Sequence, residues 1–210
     1  MVTCHAGEAS KAYGNKYTAG AGQRGDIWHW KSVRTGPVDQ VDDQWVDDTR
    51  WSTDTPEAGR KSDPKTAGGY ADNVNADKSG PAFMGPQGAK GPYWILDSEK
   101  RPFTDTFQAG DEIPGMIVAP IAGDRGNLEA RSEYAGAAWT LEIRRALVTG
   151  SEFDVQFDDL TDTYYFGMAV FDNAQVRHSF QTGASALRFG PHATAVAERS
   201  WGQVKRSQLR

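Results

Sequence analysis

Thr163-Tyr164-Tyr165-Phe166-Gly167-Met168-Ala169-Val170-Phe171 is almost wholly aromatic and apolar, and it lies between Asp162 and Asp172-Asn173. A run of this length and composition, bounded by turn-forming residues, reads as a central strand buried on both faces. The neighbouring segments agree with it. Residues 113–120 form a short apolar run, and 128–134 and 137–145 flank Ala135-Gly136, where glycine makes a turn cheap. Trp139, Leu141 and Ile143 alternate with Thr140, Glu142 and Arg144, which marks one buried face. No long amphipathic helix is evident. Short strands joined by glycine-rich, proline-punctuated connections suit a mainly β fold, an antiparallel, immunoglobulin-like β-sandwich.

The apolar mass is unevenly spread. Of the 35 Val, Ile, Leu and Phe residues, 20 fall in 111–190 and only 12 in 1–110, so the core-forming density sits in the second half. The first half carries five of the seven tryptophans, Trp28, Trp30, Trp45, Trp51 and Trp94, and should hold long irregular loops, with 52–91 as a surface excursion. A length of 210 residues fits one domain over 1–190 followed by a basic tail, 191–210. A net charge of −5 argues against a nucleic-acid partner, no run is long enough for a membrane span, and no signal peptide opens the chain. With the single cysteine Cys4, any site chemistry must use histidines, methionines or carboxylates.

Several motifs narrow the chemistry. Residues 20–25, Gly-Ala-Gly-Gln-Arg-Gly, have the spacing of a dinucleotide fingerprint, but the stretch before them is polar and no helix follows, so they read as a tight loop. No Gly-x-Ser-x-Gly elbow supports a hydrolase. Asp42, Asp43, Asp47 and Asp48 bracket Trp45 without the alternation or closing Glu of a calcium loop, and a solvated acidic turn is the expectation. Cys4-His5 is the last half of the haem-attachment signature Cys-x-x-Cys-His, with Met1 where the first cysteine should stand. In Asp26-Ile27-Trp28-His29-Trp30-Lys31, an extended chain puts Trp28 and Trp30 on one face and His29 and Lys31 on the other, so an imidazole and an amine share a side. Met168 reads as core filler by default, and His178 follows the turn after the central strand. A different class of function stays open: an aromatic platform of Trp28, Trp30, Trp45 and Trp51 for a flat ligand, with calcium held by 42–48.

Tyr13-Gly14-Asn15-Lys16-Tyr17, Gly25-Asp26-Ile27-Trp28-His29-Trp30-Lys31, Pro92-Tyr93-Trp94-Ile95-Leu96, Trp139-Thr140-Leu141-Glu142 and the stretch 164–173 occur in that order. Together they resemble the ethylbenzene dehydrogenase-related haem-binding domain family, over residues 4 to about 180. That resemblance implies a β-sandwich holding one b-type haem, as an electron-transfer module rather than a catalyst, in an exported or periplasmic respiratory setting. The implied partner is a redox subunit or cytochrome, since relatives include haem-binding gamma subunits of molybdenum enzymes. Those subunits use methionine and lysine as axial ligands. Here His29 sits in the tryptophan-flanked segment, so the candidate iron ligands are His29, His178, Met168 and Lys31, in that order, with Trp28, Trp30, Lys31, Cys4 and His5 expected around the cofactor. The family domain usually begins with strands before the Cys-His region, so the chain reads as shortened at its N-terminus. An upstream cysteine would then permit c-type attachment.

Overall fold

The computed structural model describes residues 2–6, by backbone only, together with 16–18, 20–86, 92–172, 178–181 and 183–190. The tail 191–210 and residues 13–15 lie outside them. The chain is mainly β. Its main sheet has the order β13 (Ser179–Phe180), β12 (Thr163–Val170), β1 (Val2–Ala6), β2 (Gly25–His29), β3 (Asp42–Val46), β4 (Arg60–Ser62), with β14 (Ser185–Arg188) also paired to β12. A second sheet is β5 (Ala67–Asp72), β9 (Met116–Ala122), β7 (Trp94–Leu96), in which β7 runs parallel to β9 and every other named pairing is antiparallel. The remaining pairs are β6 (Phe83–Met84) with β8 (Arg101–Pro102), and the hairpin β10 (Glu129–Ala135) with β11 (Ala138–Arg144). Several small antiparallel sheets around one large one are in keeping with a β-sandwich.

Register assigns each side chain a face. Val2 is opposite Met168 on one side and Trp28 on the other, and Trp28 is opposite Asp43. Directly opposed residues share a face and successive residues alternate. Met168, Phe166, Tyr164, Trp28, Asp26, Asp43 and Trp45 therefore occupy one face, and Ile27, His29, Asp42 and Gln44 the other. The irregular segment 145–162 covers the first face: Val155 and Phe157 pack with Tyr164, against which Trp28, Phe166, Leu187 and Phe189 lie. A second cluster joins Val41, Leu128 and Ala130 to Trp28, Trp30 and Ile143. Trp28 belongs to both, with its ring edge-on to Phe157 at 6.5 Å. Over the opposite face lies the 3-10 turn Asp124–Gly126 that follows β9, joined to β3 through Arg125 and Asp42.

Four expectations are corrected. The run 163–171 does form an interior strand, paired on both edges, but its cover ends at Tyr164 and Phe166, so Met168 is 52% exposed and Val170 projects to solvent. In the hairpin, Ile143 is covered, whereas Trp139 and Leu141 are exposed, because alternation defines a face without supplying a layer to bury it. The turn falls one residue later than read, at Gly136-Ala137, both with positive φ, +58° and +61°, which suits the twist of a two-residue hairpin. Segment 52–91 contains β4, β5 and β6 rather than loop alone. Gly68, at φ +71° in a bulge of β5, shows why composition misled there: a Cβ would stand 1.7 Å from the Pro120 carbonyl oxygen, so glycine permits close strand pairing. Finally, Asp42 and Asp43 are fully buried in β3, not in a solvated turn.

Leu128 is fully buried and Leu141 is 38% exposed, so one substitution at two sites separates core from surface. Leu128→Ala is expected to lower unfolding free energy by about 3 kcal/mol through lost burial and the cavity left behind. Leu141→Ala should change it by less than about 1 kcal/mol. Urea denaturation midpoints at constant slope measure both.

Candidate functional site

At one end of the main sheet, two histidines meet on one phenylalanine. His29 ends β2, Phe171 follows β12, and His178 precedes β13, which returns antiparallel to β12. The His29 and Phe171 ring centroids are 5.4 Å apart, those of Phe171 and His178 4.2 Å, and Phe180 stands edge-on to His178 at 6.2 Å. The Nδ1 atoms of both histidines are buried without a hydrogen-bond partner among the described residues. Burial, reinforced by the charge of Lys31, lowers the His29 pKa to about 3, so its imidazole is neutral at physiological pH. Imidazoles with uncommitted nitrogens in an aromatic setting are suited to coordinate a transition metal such as iron.

Lys31 shares the His29 side, as read from the sequence, but its amine is engaged. Nζ pairs with Asp42 Oδ2 and donates to the Tyr70 hydroxyl at 2.8 Å. Asp42 also accepts from Tyr70 and Gln44, each at 2.8 Å, and from Arg125. Burial alone would raise the Asp42 pKa, yet the Arg125 hydrogen bond and the Lys31 charge hold its carboxyl well below the usual range. Burial outweighs Asp42 at the lysine and brings Lys31 down to about 8. The result is a cross-layer tie between β2, β3, β5 and the turn after β9.

Among the other expected site residues, Trp28 and Trp30 both project to the aromatic core side, Trp30 packing at 4.9 Å on Trp139. Met168 lies on the Trp28 face, opposite to His29, so the register separates these two ligand candidates. Cys4 and His5 are on β1, paired with Phe166 and Tyr165, and their side chains lie outside the description. The four-tryptophan platform does not form: Trp45 packs on Phe153 and under Arg24, while Trp51 is separately exposed.

Sequence reasoning missed a second constellation. Asp26, Asp43 and Asp154 converge on the covered face, with Asp63 beside them and Arg145 bonded to Asp26. Burial and the neighbouring carboxylates raise the pKa values of Asp26 and Asp43, and Asp63 is pushed up to about 8. Only the alternation that sets Asp26 and Asp43 on the Trp28 face was readable in advance. Asp63 and Asp154 are brought in by long-range folding that no local pattern signals.

Compared with known proteins, residues 1–183 match the model of the family described as ethylbenzene dehydrogenase. No curated protein and no solved structure matches the chain.

Removing one charge should expose the weight of the Asp42 tie. Asp42→Asn leaves Lys31 and Arg125 facing a neutral amide in a partly buried site, and a loss of about 3 kcal/mol is expected in urea denaturation at pH 7. The folded pKa of Asp42 lies below its unfolded value of about 3.9, so its contribution is complete above that pH and fades as pH falls further. The gap between wild type and variant should accordingly narrow below about pH 4.

Proposed function

The chain belongs to the ethylbenzene dehydrogenase family, and from that premise we propose that it is a haem-binding electron-transfer module that serves a catalytic partner subunit. The observation that carries this reading is the meeting of His29 and His178 on Phe171, each with a buried, unpartnered Nδ1. These residues fit a haem by their chemistry: two imidazoles, one held neutral by burial, beside Phe171 and Phe180. When bound, a b-type haem supplies one-electron redox chemistry, with axial ligation and burial setting its potential.

The protein's own residues would divide the work. His29 and His178 would hold the iron, and Phe171, packed against both rings, would set their orientation. The Lys31-Asp42-Arg125 tie fixes the backbone around His29, whose β-ladder partner is Asp42. Lys31 is engaged by Asp42 and Tyr70 and Met168 lies on the other face, which favours the two histidines over a lysine and methionine pair in this reading. Trp28 and Trp30, packed on the Val41, Leu128 and Ala130 cluster, would brace the sheet behind His29. A molybdenum enzyme as partner and an exported location belong to the same proposal. Among the described residues no helix is long and apolar enough to cross a membrane.

Reconstitution with haem, followed by pyridine haemochrome quantitation and absorption spectroscopy, tests the reading. About one haem per chain and a six-coordinate Soret band are expected. His29→Ala and His178→Ala should each shift that band, whereas Met168→Ala should leave it in place. Absence of stoichiometric haem would sink the proposal; a band sensitive only to Met168→Ala would overturn the ligand pair.

A further inference from the structure

We propose that Asp26, Asp43 and Asp154, with Asp63 beside them, bind one hard divalent cation of the calcium class, which ties segment 145–162 to the β2-β3 edge of the main sheet. This site is separate from the two histidines and independent of the haem reading. Asp26, Asp43 and Asp154 each offer one carboxylate oxygen within 4.8 Å of the other two. Two oxygens facing one another across a calcium ion, with bonds of about 2.4 Å, are about 4.8 Å apart.

The unused oxygens distinguish this group from a solvated acidic patch. Asp26 and Asp43 are fully buried and Asp63 is 3% exposed. Asp26 Oδ2 accepts from Arg145 and from the Val155 N–H, while Oδ1 has no partner among the described residues. Asp43 Oδ1 accepts from the Gln44 N–H, and its Oδ2 has none. Asp154 Oδ2 accepts from Thr149 and Asn127, and its Oδ1 has none. In Asp63 both oxygens are buried and meet no N–H or hydroxyl donor among the described residues, and its carboxyl stands within hydrogen-bonding reach of that of Asp154. Three carboxylates are thus each held by one oxygen with the other presented, and a fourth presents both. Leaving such acceptors unmet in a buried layer is costly, and a cation satisfies all of them at once.

Charge points the same way. Once ionised, as a bound cation requires, the four carboxyl groups face one guanidinium among the described residues, Arg145, which reaches both Asp26 and Asp154. A divalent ion offsets most of the remaining negative charge. An all-oxygen donor set selects calcium, magnesium or manganese over zinc or copper, and donors gathered from two strands and an irregular segment suit calcium, which tolerates flexible coordination better than magnesium. Asp26 and Asp43 come from adjacent strands and Asp154 from the covering segment, so the ion would staple sheet to cover.

Terbium(III), a calcium substitute whose emission is excited through nearby indoles, is the probe. Trp45 is the ladder partner of Asp26, and Trp28 that of Asp43. The full chain, stripped with EGTA, should bind about one terbium with sensitised emission that calcium displaces, and saturating calcium should raise Tm by at least about 5 °C. Asp43→Asn and Asp154→Asn should each weaken terbium binding at least about tenfold, while Asp77→Asn, on an exposed loop, should not. Because asparagine keeps the volume and removes like-charge repulsion, the metal-free variants should melt no lower than metal-free wild type. Should either variant fail to fold, wild-type stoichiometry and the calcium-dependent Tm still decide. No terbium bound to the wild type, or affinity unchanged in folded Asp43→Asn and Asp154→Asn, would overturn the site.

Discussion

The period of two along β12, β1, β2 and β3 governs almost everything else. Once the Val2 backbone stands opposite Met168 and Trp28, and Trp28 opposite Asp43, every side chain in β12, β2 and β3 has its face assigned. A slip of one residue would carry Trp28 out of both apolar clusters and set His29 among Val155 and Phe157. It would also remove Asp42 from Lys31 and Arg125, leaving buried charges without partners. Hydrophobic packing and ion pairing thus enforce the same register.

The two faces manage buried charge differently. On the His29 side Asp42 meets two cations, a tyrosine hydroxyl and a glutamine amide, and its carboxyl is stabilised as the anion. On the Trp28 side Asp26, Asp43 and Asp63 lie with Asp154 around Arg145, and burial favours protonation of the first three. The first arrangement is complete within the protein. The second has acceptors to spare, which is the chemical basis for assigning a cation there. Both lie within one strand step of each other, because Asp42 and Asp43 are consecutive and point in opposite directions.

Much of this was readable in the sequence where a local pattern controls it. Composition and turn residues in 163–173 and 135–137 located β12 and the β10-β11 hairpin, and alternation in 26–31 separated the tryptophans from His29 and Lys31. Burial was less readable, since it depends on what other segments bring. Trp139 and Leu141 alternate as core residues do, yet the covering layer reaches only Ile143. The acidic stretch at Asp42 and Asp43 looked solvated because the cations that pair with Asp42, Lys31 and Arg125, are 11 and 83 residues away. Of the candidate site, His29 and His178 were both singled out, but their meeting through Phe171 rests on the β13 return to β12, which no spacing announces.

The proposal stands most directly on which two side chains hold the iron. Near-infrared magnetic circular dichroism of the oxidised, haem-loaded protein reads this, because the ligand-to-iron charge-transfer band differs between two imidazoles, imidazole with thioether, and imidazole with amine. A bis-imidazole band, lost in both His29→Ala and His178→Ala, is the expected result. A thioether or amine signature in the unmodified protein would contradict the pairing across Phe171.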